Sequence, residues 1–566
     1  MVEGSYTCGT SEFPLLGMTI GEMVDSIAEK YPDNEAIVSV HQNIRMTYRE
    51  FLAQVNLVAR SLMGLGVEKG DRVGIWAMNH AEWIVVQFAT AKIGAIMVNI
   101  NPAYRTYELE YALKQSEVQT LIVQGRFKTS DYVGMFYEAC PEAKEAKPGK
   151  ISSEKFPFLK NAVFMGSTPY AGMFTWDDFI KKAEEITTDE LTERGDVLAF
   201  DDAINIQYTS GTTGFPKGVV LTHHGVLNNG FIIGEGMGFT EKDRLCIPVP
   251  FYHCFGMVLS NLVCVTHGST MVIPAPAFDA LEVLKTIEKE HCTAVHGVPT
   301  MFIAELTHPD FRKYDLRSLR TGIMAGSPCP IEVMKQVNKE MHMSDIVIVY
   351  GQTETSPGVT MTTTHDPVER RVSTVGRAFP HTELKVVDPK TNKIIPLGEI
   401  GEICARGYCV MKCYYNNPSA THATLDSNRW NHTGDLATMD EQGFFKIVGR
   451  LKDMVIRGGE NIYPREIEEY LHHHEKIADT YVVGVPDVKY GEELCAWVKM
   501  KPGQTMTGQD IKDFCKGKIA HFKIPRYVMF VDDFPMSITG KIQKFRMRED
   551  SIKHLGLEEA SKIETA

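Results

Sequence analysis

The chain has 566 residues, of which 43% are hydrophobic and 23% charged, proportions that exclude a disordered or fibrous protein. Lys and Arg number 59 against 72 Asp and Glu, a net charge of −13. That balance argues against a nucleic-acid binder relying on broad cationic surface, though it leaves room for a local basic cleft taking a small anion.

The first twenty residues lack the basic and apolar regions of a secretory signal and the Arg-rich character of a transit peptide. Residues 20–30 and 48–65 carry the apolar spacing of amphipathic helices, and 72–77 and 96–100 read as buried strands. Alternation of this kind predicts α/β layers around parallel sheet. Residues 144–155 are rich in Lys and Glu and read as an exposed loop. The uncharged stretch 255–278 contains Asn261, His267, Gly268, Pro274 and Pro276, so it reads as buried helix, turn and strand (269–273) and not as a membrane span. A helix over 279–290 and strands over 294–297 and 345–350 follow. Past Arg450 the texture changes: Gly458 and Gly459 precede Pro464, which suits the first turn of a helix. Glu466, Glu468 and Glu469 complement that helix's positive end. A boundary near 451 is expected, with a large domain at 1–451 and a small α+β domain at 452–566.

Twelve cysteines are present and none forms a C-x-x-C pair. Cys404, Cys409 and Cys413 lack the ligand spacing of a structural zinc site. Reduced, mostly buried thiols in a cytoplasmic protein are expected.

The segment Tyr208-Thr-Ser-Gly-Thr-Thr-Gly-Phe-Pro-Lys-Gly218 carries the most chemistry. It follows an alternating strand (Ile204, Ile206, Tyr208). Its glycines permit close backbone approach, its hydroxyls donate, and Lys217 adds a point charge; together these suit a polyphosphate tail. Gly218 stands where a P-loop would need Ser or Thr for magnesium, so the loop is of another kind. Gly64, Gly66 and Gly70 miss the dinucleotide spacing, and Ser152–Lys155 has none of the companion motifs of a serine acylase.

This string resembles the signature of the adenylate-forming superfamily of acyl-CoA synthetases, peptide-synthetase adenylation domains and firefly luciferase. Four further segments resemble its other motifs in order: Tyr350-Gly-Gln-Thr-Glu-Thr355, His432-Thr-Gly-Asp435, the stretch 449–467 that matches the hinge motif, and Gly540-Lys-Ile-Gln-Lys544. Arg406-Gly-Tyr-Cys-Val-Met411 and Phe514-Cys-Lys-Gly-Lys518 are similar to the mitochondrial acyl-CoA synthetase family member 2 group of medium-chain fatty acid activators. The missing transit peptide departs from that group.

The resemblance implies a large amino-terminal domain of layered α/β sheets and a small mobile carboxy-terminal domain. It implies an enzyme that uses ATP, Mg2+ and coenzyme A to convert a carboxylic acid to an acyl-adenylate and then to an acyl-CoA. Carried onto this sequence, Thr209, Ser210, Gly211, Thr212, Thr213, Gly214, Pro216 and Lys217 would hold the phosphates. Gly326, Ser327, Pro328, Tyr350, Gly351, Gln352 and Thr353 would line the nucleotide. Glu354 would ligate the metal, with Thr353 and Lys217 assisting catalysis. Asp435 would accept from both ribose hydroxyls, and Arg450 would contact ribose or phosphate. Lys541 would place its ammonium between carboxylate and α-phosphate. Lys452 aligns with the hinge, and Arg457, Gly458, Gly459, Glu460 and Lys523 would meet CoA. His253, Gly256, Val298 and Thr300 are candidates for the acyl group.

The acid is expected to be a medium-chain fatty acid, with aryl, alicyclic or short-chain acids as alternatives. Loading of a carrier protein, a luciferase-type oxidation and a silent nucleotide sensor are the competing functions. The chain ending about 25 residues after Lys541 favours a free-standing ligase in this reading. A homodimer is common among relatives, and neither nucleic acid nor a membrane span is expected.

Overall fold

The computed structural model describes residues 4–12, 14–209, 216–327, 329–457, 460–487, 489–537 and 541–558, the side chains of Glu460 and Asn461 excepted. It divides into two compact units. One comprises Cys8–Glu383 and Ala405–Asn431; the other comprises Met1–Thr7, Leu384–Cys404 and His432–Ala566.

The larger unit holds a seven-stranded and a nine-stranded sheet. In the first, Asn161–Phe164, Thr120–Val123, Arg72–Trp76, Ile96–Asn99 and Ala203–Thr209 run parallel, and Lys217–Thr222 returns antiparallel beside Ala203–Thr209. In the second, Glu35–Ser39, Thr270–Ile273, Arg244–Cys246, Ala294–Val295, Thr321–Ala325 and Asp345–Gly351 form a parallel run. These strands are buried almost throughout, as parallel strands covered on both faces must be. One contiguous apolar core takes Val73, Ile75 and Met97 from the first sheet and Ile37, Leu245 and Met271 from the second. The helices Ile20–Lys30, Tyr48–Gly64, Ala81–Lys92 and His223–Gly236 contribute to the same core.

The helices begin where local chemistry allows. Thr19 and Thr47 each accept the N–H of a glutamate three residues on, and that glutamate's carboxylate accepts the threonine's own N–H; each such cap contributes about 1 kcal/mol. The expected helix, turn and strand over 255–278 are present, with one difference. The helix runs through a π-helical turn, Met257–Leu262, before Val263–His267, and Gly268 ends it in the left-handed conformation. The wider turn makes room for buried polar side chains: Ser260 Oγ donates to the Phe255 carbonyl, and Asn261 Nδ2 to Gln87.

Glu305, on the helix Pro299–Leu306, is 1% exposed, and its Oε2 has no hydrogen-bond partner among the described residues. Burial pushes its carboxyl up to about 8. The unfolded chain gives up this proton near 4.5 while the folded chain keeps it, so wild-type stability is full below that pH and falls as pH rises to about 8. Glu305→Gln removes this dependence. Its stability relative to wild type is expected to rise across that window by an amount on the order of several kcal/mol, read from urea unfolding at a series of pH values.

The second unit contains strands of a five-stranded sheet, in the order Tyr6–Cys8, Thr382–Val387, Gly401–Gly407, Asn431–Met439 and Phe445–Arg450. The amino-terminal strand was not foreseen from the sequence; its partner lies some 380 residues away and no local pattern announces it. A second sheet, built on the long hairpin Ile477–Asp487 and Gly491–Met500, carries Val455–Arg457, Glu460–Ile462 and Tyr527–Phe530. Helices Pro464–Leu471 and Gly508–Cys515 cover it, and Pro464 occupies the helix's opening turn as expected. All twelve cysteines are free thiols, ten of them buried. No helix among the described residues is long and apolar enough to cross a membrane.

Candidate active site

The site of the larger unit is assembled at the carboxyl edge of the nine-stranded sheet, the edge where ligands of open α/β sheets bind. Four neighbouring parallel strands end there: Arg244–Cys246, Ala294–Val295, Thr321–Ala325 and Asp345–Gly351. Their trailing segments carry, in turn, His253 and Gly256, Val298 and Thr300, Gly326 and Ser327, and Tyr350 to Glu354. Ala325 pairs with Val349, so Gly326 and Tyr350 emerge side by side. Residues scattered over a hundred positions in sequence thus share one edge. Pro328 lies outside the described residues.

Close backbone approach explains two glycines. A Cβ on Gly351 would collide with the Pro357 carbonyl oxygen, and one on Gly256 with that of Pro250. Gly326 adopts φ +86°, a left-handed conformation that glycine takes without strain. His253 caps the short helix Cys254–Gly256, its Nδ1 accepting the Phe255 N–H at 3.1 Å. That bond puts the neutral ring's proton on Nε2. Phe251, Phe255, Met257, Val298, Met301, Ala325 and Val349 belong to one apolar cluster, so the wall beside His253 is greasy.

Glu354 follows Thr353 in a tight turn, Thr353–Thr355, where it is 8% exposed. The Tyr414 hydroxyl donates to its Oε1 at 2.6 Å, and its carbonyl accepts the Met411 N–H. Burial and the Glu354 carboxylate push the Tyr414 phenol above its ordinary range, keeping it a donor. Tyr414 also lies under Lys217, whose Nζ stands 4.8 Å from the ring centre. The strand Cys413–Tyr414 pairs with Lys217–Thr222, so one tyrosine ties the strand that begins at Lys217 in the first sheet to Glu354 on the second. The sequence reading missed it. The signal was at hand, since the segment matched at 406–411 stops three residues short of Tyr414.

The strands on either side of the phosphate segment pair antiparallel, with Thr209 opposite Lys217. Ser210, Gly211, Thr212, Thr213 and Gly214 lie outside the described residues. Pro216 is held by its carbonyl, which accepts from Tyr111. The donors at this turn suit a hard divalent ion beside phosphate: the Glu354 carboxylate and the hydroxyl of its chain neighbour Thr353 are both oxygen.

The second unit carries the remaining candidates. Asp435 and Arg450 face each other across the Asn431–Met439 and Phe445–Arg450 strands, with Nε 3.3 Å from Oδ1. Asp435 is 9% exposed, and its N–H donates to Thr433 Oγ1. Lys452 lies in the turn Leu451–Asp453 that follows. Arg457 is engaged within the carboxy-terminal sheet: its guanidinium pairs at 2.6 Å with Glu493, donates to the Phe522 carbonyl and stacks on Tyr490. Next to that carbonyl, Lys523 pairs with Glu466. Glu460 is paired through its backbone with Arg457, and Gly458 and Gly459 lie outside the described residues.

Lys541 is tied through its backbone to Ser537. Its N–H donates to Ser537 Oγ at 3.1 Å, and its carbonyl accepts the Ser537 N–H at 2.7 Å. Met536 bridges Ile542, and Gln543 N–H reaches Pro535. Three residues on, Lys544 pairs at 2.6 Å with the buried carboxylate of Glu468, which also accepts the Val482 N–H. The backbone bearing Lys541 is therefore fixed at both ends to its own domain.

Comparison with known proteins agrees with this architecture. Residues 24–415 match the family described as AMP-binding enzyme, and residues 466–541 match the AMP-binding enzyme C-terminal domain. A putative acyl-CoA synthetase, YngI, of Bacillus subtilis is 54% identical over 96% of this chain and 99% of its own. A mitochondrial medium-chain acyl-CoA ligase of Danio rerio is 45% identical over 98% of this chain and 91% of its own. Among solved structures, the anthranilate CoA ligase AuaEII in complex with anthranoyl-AMP superposes with a TM-score of 0.83 at 27% identity, covering 96% of this chain and 99% of that one. The chain belongs to the AMP-binding enzyme family and is an AMP-forming acyl-CoA synthetase, an acid–thiol ligase that uses ATP, Mg2+ and coenzyme A.

Proposed function

We propose that this ligase activates a medium-chain fatty acid, and that the residues gathered at the sheet edge divide the work. The observation that carries the reading is that an apolar wall (Phe251, Phe255, Met257, Val298) and a polar edge (Tyr350 to Glu354) follow strands that end at the same sheet edge, with Thr321–Ala325 between them. An apolar tail and a carboxylate about to meet a nucleotide need that pairing. The 45% identity to the Danio rerio medium-chain ligase supports the acid's class.

Adenylation brings two anions together, so its barrier is electrostatic, and fixed donors and cations lower it. Thr209 to Lys217 hold the β- and γ-phosphates. Glu354 would hold Mg2+, which would supply positive charge to offset that of the phosphates, with Thr353 assisting beside it. Tyr350 stacks on adenine, with Gly326, Ser327 and Pro328 across from it and Gly351 and Gln352 alongside. Asp435 and Arg450 take the ribose. His253, through Nε2–H, and Gly256, Val298 and Thr300 receive the acid. Lys541 bridges the carboxylate and the α-phosphate. The carboxylate oxygen attacks the α-phosphorus, pyrophosphate leaves, and the CoA thiolate then displaces AMP from the acyl carbon. In this reading the segment after 451 turns about Lys452 between the two steps, withdrawing Lys541 and presenting Arg457 to Glu460, with Lys523, to CoA. The twelve free thiols fit a reducing, cytoplasm-like compartment. A homodimer completes the reading and is tested by sedimentation velocity.

Pyrophosphate release measured across acetate, hexanoate, octanoate, palmitate and benzoate, with and without CoA, decides the acid. Hexanoate and octanoate are expected to give the highest kcat/KM; benzoate in first place would move the assignment to aryl acids. Tyr414→Phe, which removes the donor to Glu354 and keeps the ring under Lys217, is expected to lower kcat/KM for ATP by about 10- to 100-fold. Unchanged kinetics over a Mg2+ titration would show that Tyr414 does not hold Glu354 for the metal.

A further inference from the structure

The spacing of Cys404, Cys409 and Cys413 excludes a metal site made from that local run, but the fold brings Cys404 to two other donors. Glu402 and Cys404 are two apart on the strand Gly401–Gly407, so they share a face. His432 stands on the neighbouring strand, Asn431–Met439. The Glu402 carboxylate, the Cys404 sulfur and a His432 ring nitrogen all lie within 4.8 Å of one another. His432 Nδ1 is 2.9 Å from Glu402 Oε2 and 3.5 Å from Cys404 Sγ, and therefore faces both.

We propose that Glu402, Cys404 and His432 form a binding site for a thiophilic divalent cation of the zinc class, separate from the Mg2+ site at Glu354. Zinc bonds of about 2.3 Å to sulfur and about 2.0–2.1 Å to nitrogen place those two atoms about 3.5 Å apart at the tetrahedral angle, the spacing found here. The closer Nδ1 to Oε2 pair needs only a small opening. A thiolate, an imidazole and a carboxylate select zinc or cadmium over magnesium, which prefers oxygen alone. Binding releases the thiol proton to solvent and requires the ring's one proton on Nε2, leaving the Nδ1 lone pair for the ion. Thiolate and carboxylate then balance the dication, so no net charge is buried. Cys404 is buried and Glu402 nearly so, while the His432 side chain is 24% exposed. The ion therefore enters past the imidazole, and water completes its coordination.

The site also has a fixed support. Glu402 Oε1 accepts the Gly434 N–H at 2.9 Å, and Thr433 Oγ1 donates to the Ile403 carbonyl at 2.6 Å. These bonds hold the two strands in register around the three donors without using the atoms that would face the ion.

The test uses the full chain, freed of metal by a chelator and titrated with Cd2+ while the thiolate-to-cadmium absorption is followed. Zn2+ affinity is then measured in competition with a chromophoric chelator. Wild type is expected to bind one equivalent more than Cys404→Ser and to melt at a higher temperature when zinc is present. Glu402→Gln keeps all twelve thiols and is expected to weaken Zn2+ binding by about 100-fold. Its loss of affinity therefore cannot be laid to the thiol count, and it serves equally if Cys404→Ser folds poorly. Equal stoichiometry in wild type and Cys404→Ser, or unchanged Zn2+ affinity in Glu402→Gln, would overturn the assignment.

Discussion

Lys541→Ala is expected to lower acyl-adenylate formation by about 100- to 1,000-fold while leaving thioester formation from supplied acyl-adenylate close to wild type. The two half-reactions respond differently because the ammonium has work only in the first. There it faces a carboxylate and an α-phosphate whose charge must be offset as they meet; in the second, the leaving group is already AMP. Lys541 is held by two bonds from its backbone to Ser537, and Lys544, three residues on, is paired with Glu468. Truncating the side chain removes none of these bonds. Pyrophosphate exchange reads the first step and acyl-CoA production from synthetic adenylate reads the second. Equal loss in both would refute the role given to Lys541, and a general loosening of the domain would be visible as a lowered melting temperature.

Arg457→Ala carries the largest expected effect on stability. Glu493 has no exposed side-chain surface, and its carboxylate is paired with the Arg457 guanidinium at 2.6 Å. Removing the cation leaves a buried, uncompensated charge and frees the Phe522 carbonyl from its donor. A broken buried pair costs about 3–5 kcal/mol. Loss on this scale should appear as faster hydrogen exchange in the strands Val455–Arg457 and Gly491–Met500, with strands of the other unit unaffected. Arg457→Ala with Glu493→Leu should recover part of the loss, because an apolar pair does not pay for desolvation. The comparison also separates two roles of one residue: a double variant that is stable yet slow in thioester formation would assign Arg457 to CoA as well as to the fold.

The sequence by itself determined the chemistry and much of the local structure. The phosphate segment 208–218, Tyr350 to Thr355, His432 to Asp435 and Gly540 to Lys544 are short strings whose residue types and order carry their meaning without a fold. Helix 20–30 could be placed to the residue and strand 270–273 to within one, since apolar period and capping residues are local properties. Tertiary structure alone decided what meets what. Tyr414 lies 60 positions from Glu354, the amino-terminal strand pairs with one near 385, and Glu402, Cys404 and His432 converge only because two strands are neighbours. Strand pairing and side-chain convergence depend on contacts between distant segments, and those contacts follow from burying apolar surface within each unit, which no window of sequence contains.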